Sequence, residues 1–315
     1  MQIGRIVSFL PSSTEILYEI GAGDLLTGVT HECNYPVDAK NKPRVINSSI
    51  NAKNMSSKQI DDKIVELMRA GENIYTIDDK QLISSKPNLI IAQGICEVCA
   101  PFAKEIDRAN TILGYEPEVL VLHPHDLDDI LVSITQIAEK IGKSNEGRKL
   151  VRSLQKRIEN VKNVVYKSSE SSTKDKPKIA CIEWVDPFFS AGHWIPQMVD
   201  IAGGINGLSV TRQPSRRVSI EEIIKFNPDK IILMPCGFDV ARTLDEAKSL
   251  RDNSKWRSLQ AVQEDQVYAV NANAYFSKPG PRTIIGLEII AKIIGPTAFE
   301  SMELPPGSYD KVKNR

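Results

Sequence analysis

An excess of charge of either sign is what this sequence lacks first. Forty Lys and Arg stand against forty Asp and Glu, leaving no net charge at pH 7. That excludes the broad positive surface with which a protein displaces counterions from phosphate, so no nucleic-acid partner is expected. Long hydrophobic runs are lacking too. Apolar stretches end after about 4–8 residues, far short of the ~20 that cross a bilayer, and nothing membrane-spanning is expected. Cysteine is scarce and odd in number: Cys33, Cys96, Cys99, Cys181 and Cys236 are five in 315 residues. They are too few for a disulfide scaffold and suit a reducing compartment. Aromatic residues make up only 6%, so the places where they gather carry information. What is present is 41% hydrophobic and 25% charged, an ordinary globular composition with material for about two domains.

The first ten residues contain one early basic residue, Arg5, but the apolar stretch stops at Pro11 and Glu15 interrupts any continuation. No small-residue cleavage site follows before Gly21. The start therefore reads as cytoplasmic, with an extracytoplasmic location as the alternative if a leader has been removed.

The chain is written twice. The segment 78–91, DDKQLISSKPNLII, aligns without gaps on 219–232, SIEEIIKFNPDKII. Each copy opens on an N-cap residue, Asp78 or Ser219, with Gln81 or Glu222 three positions on. Each ends a short helix before Pro87 or Pro228 and enters an apolar strand. The likeness extends outward. Arg5–Leu10 and Lys178–Glu183 both read as buried strands leading into helices that close at Gly21/Gly23 and Gly203/Gly204. Val119–Leu122 and Val267–Val270 are each followed by a helix ending at Gly142 or Gly295. Strand, helix, strand, helix in each half predicts an α/β class with two Rossmann-like lobes of parallel sheet. Between them, Ser144 to about Lys167 carries an apolar stripe at helical spacing, which predicts one bridging helix of roughly 35 Å. The expected organisation is an N-terminal lobe 1–143, a bridging helix and polar loop 144–176, and a C-terminal lobe 177–315.

In open parallel sheets ligands bind beyond the carboxyl ends of the strands, and two facing lobes would make a cleft there. The residues that follow each strand are therefore the candidates. Ser12 and Ser13 follow the first strand, with Ser12 and Glu15 at capping-box spacing. His31, Glu32, Cys33 and Tyr35 follow Leu26–Thr30. Gln93, Cys96 and Cys99 follow Leu89–Ala92, and His123 and His125 follow Val119–Leu122. Trp184, Phe188, Phe189, His193 and Trp194 come after Ile179 in the second half, then Cys236 and Phe238, then Tyr275, Phe276 and Arg282. The rings suggest a broad, partly apolar ligand gripped by aromatic faces, and Arg216, Arg217 and Arg282 could hold polar groups at its edge. His123 and His125 are expected in loop or capping roles, and Cys181 as a small buried residue.

The Cys96–Cys99 pair lacks the second pair that a structural zinc site requires, and its context is not that of a redox helix N-terminus. A ligand-facing loop is favoured. The gapless repeat sets Cys236 opposite the Ile95–Cys96 position, so His31, Cys33, Cys96, Cys99 and Cys236 form a candidate set for a bound metal ion. Gly21-Ala22-Gly23 lacks the third glycine of a dinucleotide fingerprint. No Ser-His-Asp order, paired-carboxylate motif or phosphate loop is present, so no enzyme is expected and no cofactor is required.

The order RIVSFLPSSTEILYEIGAGDLLTGV, NYP, KPNLII, the long helix, DPFFSAGHWIPQMVDIAGG, NPDKIILM and PGPR resembles the cobalamin- and siderophore-binding proteins of ABC importers. It is similar in particular to their cobalamin-binding branch, over roughly residues 4–295. The resemblance implies a helical-backbone fold, a corrinoid held between the lobes and an ABC permease as partner. Tyr35, Phe188 or Phe189, Tyr275 and Arg282 match positions that line the family's corrinoid pocket. The chain departs from the well-known members at Gln93, at Ser277-Lys278 and in its cysteines. The expected function is corrinoid binding; the alternative is a binding protein for a metal ion or another metal chelate.

Overall fold

The computed structural model describes residues 3–94, 103–170 and 176–313. They form two compact units. The first comprises Met1–Met55, Gln59–Pro124 and Asp128–Ser153, and the second Ser56–Lys58, His125–Leu127 and Leu154–Arg315. The helices used below are α1 (Pro11–Glu19), α2 (Ser57–Ala70), α3 (Asp79–Ser85), α4 (Ala103–Leu113), α5 (Leu127–Lys140), α6 (Ser144–Glu170), α7 (Ile195–Ile201), α8 (Ile220–Phe226) and α9 (Val240–Glu246). No helix among the described residues is long and apolar enough to cross a membrane.

The sheet of the first unit holds β1 (Ile6–Ser8), β2 (Leu26–Thr30), β3 (Arg44–Ser48), β4 (Tyr75–Ile77), β5 (Leu89–Gln93) and β6 (Glu118–Leu122), in the order β4-β3-β2-β1-β5-β6. Its neighbours are parallel except for β4, which runs antiparallel along the edge. Every residue of β5 is buried, as a continuous apolar run requires when helices cover both faces of a central strand. Val7, Phe9, Val45 and Ile90 pack there with Leu82 of α3 and Ala109 of α4.

The second sheet holds β7 (Ile179–Val185), β8 (Phe188–Ser190), β9 (Arg216–Arg217), β10 (Lys230–Leu233), β11 (Val267–Val270) and β12 (Tyr309–Lys311), in the order β12-β11-β10-β7-β8-β9. Its core joins Ala180, Ile182, Ile231 and Leu233 to Ile223 of α8 and to Trp256.

The written repeat is a structural repeat. Helices α3 and α8 each span seven residues. Asp78 caps the first through the Gln81 N–H, and Ser219 and Glu222 make a complete capping box on the second. Lys86 and Asn227 then turn the chain in the left-handed conformation (φ 40° and 48°), each just before the proline. The strands are tied in the same way as well. The N–H groups of Asn88 and Leu89 both donate to Arg5 O, as those of Asp229 and Lys230 do to Lys178 O. β1-β5-β6 therefore corresponds to β7-β10-β11.

The copies part company on the other side of the first strand. In the first unit α1 carries the chain over to a parallel β2. In the second, residues 185–194, expected as a loop past the strand end, fold back at Asp186-Pro187 into β8, antiparallel to β7. A two-residue link can join only antiparallel strands. Both sheets are thus parallel at their centres, with antiparallel pairing at β4 on one edge of the first and at β12, β8 and β9 in the second. Helix α6, expected to end near Lys167, runs 27 residues to Glu170 and passes the division of the units between Ser153 and Leu154.

Candidate functional site

At the carboxyl end of β1 the helix begins at Pro11, with Leu10 as an N-cap that makes no side-chain bond. Proline at the first helical position fits, because its missing N–H has no helical partner there. The expected Ser12/Glu15 capping box is therefore absent. Ser12 and Ser13 are instead buried, at 2% and 0% exposure. The Ser13 hydroxyl lies 2.6 Å from Ser8 Oγ and donates to Leu10 O. These serines hold the strand–helix corner and face no open surface.

The loop after β2 is shaped from within. Cys33, proposed as a metal ligand, is buried at 1% exposure. Its sulfur sits 3.2 Å from Thr14 Oγ1 and 3.4 Å from Thr30 Oγ1. A thiol enclosed by two hydroxyls inside the unit does not join a metal cluster, and that expectation is corrected. Arg44, which sequence reasoning overlooked, donates to Thr30 O, to Cys33 O at 3.0 Å and to Asn34 Oδ1 at 3.5 Å. One guanidinium thus fixes the path of the loop that presents His31, Glu32 and Tyr35. The His31 ring lies 4.0 Å from the Glu32 carboxylate and its buried Nδ1 has no hydrogen-bond partner. Tyr35 is 40% exposed, whereas Gln93 at the end of β5 is buried. Among the described residues no group of three or more His, Cys, Asp or Glu is placed to hold a metal ion. Cys96 and Cys99 lie outside the described residues.

In the second unit the aromatic residues divide into packing groups and edge groups. Phe188 and Phe189 alternate on β8. Phe188 stacks on the buried Trp256, with centroids 5.7 Å apart and planes 13° apart, and so belongs to the core. Phe189 is half-buried and carries Arg217, whose Cζ lies 5.4 Å from the ring centre. Trp194 is also buried. Its indole N–H donates to Phe276 O at 3.1 Å, and Phe276 is 3% exposed. Both residues therefore act through packing.

Trp184 remains half-buried at the carboxyl end of β7. Its ring lies 5.4 Å from Phe238, and Arg242 covers the other part of that ring at 3.7 Å. Burial lowers the Arg242 pKa, with Glu246 and Asp239 acting against that change. The Trp184 indole donates to Ser57 O at 3.1 Å, and Glu246 accepts the Ser57 backbone N–H at 2.9 Å and its hydroxyl. Arg242 and Glu246 escaped the sequence reading, although Phe238 and Arg242 stand four residues apart at a helix start, a spacing that brings side chains together.

Tyr275, on the turn after β11, is half-buried and has the Arg282 guanidinium 5.9 Å from its centre. Arg216 serves the fold instead, donating to Leu208 O and to the Glu222 carboxylate, both at 2.9 Å. Cys236 is free and half-buried. Cys181 is fully enclosed, as expected, and burial pushes its thiol up to about 12.

His193 sits in a strained loop. Its φ is 52° and that of Arg212 is 70°. The two segments are joined by His193 N to Gln213 O at 2.7 Å and Arg212 N to His193 O at 3.0 Å. Gly192 allows this approach, since a Cβ there would fall 2.4 Å from Gln213 O. The His193 ring stacks on Trp194 at 5.7 Å and lies 6.2 Å from His125. Burial, and secondarily His125, hold its imidazole below the usual histidine range. Beside them Asp126 pairs with Arg212, and Gln197 accepts the Leu127 N–H at 2.8 Å. His125 is thus a packed neighbour of His193, and His123 is exposed with Nδ1 3.2 Å from Gly94 O.

A family model described as "Periplasmic binding protein" matches residues 6–274. The chain belongs to that family. As a periplasmic binding protein it falls in a class of solute binders that are not enzymes. It is similar to a Vitamin B12-binding protein of Vibrio cholerae, 26% identical over 293 residues that make up 90% of this chain and 86% of the relative. An ABC transporter substrate-binding lipoprotein of Bacillus subtilis, YvrC, is 25% identical over 305 residues, 94% of this chain and 81% of the relative. A solved periplasmic heme-binding protein from Pseudomonas aeruginosa covers 99% of both chains with a TM-score of 0.73 at 15% identity, a likeness of fold. Two α/β units, each built on a sheet parallel at its centre, match the fold of this binding-protein class.

Proposed function

We propose that this periplasmic binding protein captures a corrinoid and presents it to an ABC permease. The observation that carries the reading is the set of half-buried rings in the second sheet's carboxyl-end region, Trp184, Phe189 and Tyr275, with the enclosed Phe238 backing Trp184. Flat apolar faces spread over neighbouring strands suit a wide macrocycle better than a bare ion. The Vibrio cholerae relative, named for vitamin B12, supports the corrinoid choice. On the first unit, the loop after β2 carries its own candidates, Tyr35, His31 and Glu32. Tyr35, Phe188 or Phe189, Tyr275 and Arg282 are the positions that also follow from the family resemblance, and of the two phenylalanines Phe188 stacks on the buried Trp256.

The metal-ion alternative has no comparable support, since the described residues offer no ligand group and Cys33 is enclosed. Work outside the cytoplasm accords with the lipoprotein relative and replaces the cytoplasmic expectation in this reading. Titration with cyanocobalamin, followed through the corrin absorption bands, tests the function. The expected Kd is about 1 μM or tighter. Absence of binding at about 100 μM ligand would sink the reading.

A further inference from the structure

Trp184 is held at two points of its ring system. Its indole N–H donates to Ser57 O at 3.1 Å, and its ring centre lies 5.4 Å from that of Phe238, with the planes 58° apart. Phe238 is itself fixed. It is buried, its N–H donates to Pro235 O at 3.0 Å, and its carbonyl accepts the Asn273 N–H at 2.9 Å. A tryptophan side chain turns about two torsions, and one directed hydrogen bond together with one ring contact defines both.

The carbonyl that receives the indole is anchored in turn. Ser57 is the first residue of α2, where a backbone N–H has no acceptor within the helix, and the first turn of α2 carries no acidic side chain. Glu246, 189 positions away in the chain, takes that N–H at 2.9 Å and the Ser57 hydroxyl as well. A carboxylate at the start of a helix also meets the positive end of its dipole. Glu246 ends α9, and Asp239 sets where that helix begins. Its side chain accepts the Arg242 N–H at 2.8 Å, and its carbonyl accepts the N–H and hydroxyl of the buried Thr243 at 2.9 and 2.7 Å. Glu246, Ser57 and Trp184 thus form one hydrogen-bonded line inside the second compact unit.

We infer that Glu246 is a positioning residue for the ligand: acting through Ser57, it holds the Trp184 ring in the orientation that meets the corrinoid. This rests on the corrinoid reading above. An indole has one donor and no acceptor. With that donor given to Ser57 O, Trp184 offers the macrocycle its ring surface, a contact that depends on how the ring is turned. Without the carboxylate, the Ser57 turn loses its anchor and the indole must be ordered as the ligand binds. Ordering one side chain in that way weakens affinity by about two- to tenfold.

A double-mutant cycle tests the line, with calorimetric titration of the full chain by cyanocobalamin as the readout. Glu246→Ala is expected to weaken binding by about tenfold, and Trp184→Ala by at least as much. The double variant should bind within about twofold of Trp184→Ala alone, because the carboxylate acts only through the ring. A carboxylate that merely supported the fold would lower affinity by the same factor with the indole present or absent. Should Glu246→Ala not fold, Glu246→Gln keeps one acceptor and runs the same cycle, with an expected loss of about threefold. Unchanged affinity in the Glu246 variant would overturn the inference and leave the corrinoid reading intact. So would a loss that persists in full beside Trp184→Ala, or a Trp184→Ala variant with unaltered affinity. No binding of cyanocobalamin by the unaltered protein would overturn the corrinoid reading and the inference with it.

Discussion

The carboxylate of Glu246 accepts both the backbone N–H and the hydroxyl of Ser57. Ser57 opens α2 and is fully buried, so its N–H has no water to turn to. Glu246→Ala would leave two buried donors without an acceptor, at a cost of about 1–3 kcal/mol. Urea denaturation should show the midpoint falling. An unchanged midpoint would mean that Ser57 finds another acceptor.

Arg44 governs a loop it does not belong to. Its bonds to Thr30 O, Cys33 O and Asn34 Oδ1 fix the path of residues 31–35. Arg44→Met keeps the aliphatic stem and removes the donors, and should cost about 1–2 kcal/mol. Hydrogen exchange of the Glu32–Asn34 amides should quicken. Exchange identical to that of the unaltered protein would refute the positioning role.

The tryptophans should separate by phenotype. Trp194, buried and bonded to Phe276 O, should report on stability, with Trp194→Ala destabilising by about 3–5 kcal/mol. Trp184 and Tyr275 stand at the half-buried edge. Their alanine variants should weaken corrinoid binding by about 1–3 kcal/mol, in line with aromatic anchors elsewhere. Wild-type affinity in both would place the ligand away from these rings.

His193 should make the protein sensitive to acid. Its folded pKa lies below the unfolded value of about 6.5 because burial and His125 disfavour the charged ring. As pH falls through about 6.5 the unfolded chain takes up a proton that the folded chain refuses, so stability drops. The drop levels off once pH is below the folded pKa. His193→Asn, a residue that tolerates the left-handed φ of 52°, should flatten the difference in urea midpoint between about pH 7.5 and about pH 5. An undiminished difference would assign the acid sensitivity to other groups.

Much of the fold was legible because the chain repeats itself in the residues that start and stop elements. Asp78 and Ser219, Pro87 and Pro228, and the apolar strands after them marked the same corner twice, and the corner recurs down to its paired bonds on Arg5 O and Lys178 O. β8 was not legible. Phe188-Phe189-Ser190 is too short for a clear alternation, and its register comes from β7 beside it. The candidate positions were readable at the level of strand ends: Tyr35, Trp184, Tyr275 and Arg282 close or follow strands, while Phe189 stands within β8, level with Trp184. Burial was not readable. Ser12, Gln93, Trp194, Phe238 and Phe276 look identical in sequence terms to edge groups, and only packing shows them enclosed. Arg44 and Arg242 were missed because each acts on a loop or a ring outside its own element.

The corrinoid titration tests the central claim most directly. Calorimetry with cyanocobalamin should give one site per chain and a Kd of about 1 μM or tighter. A flat titration at about 100 μM, on protein whose cooperative unfolding shows it to be folded, would contradict the account.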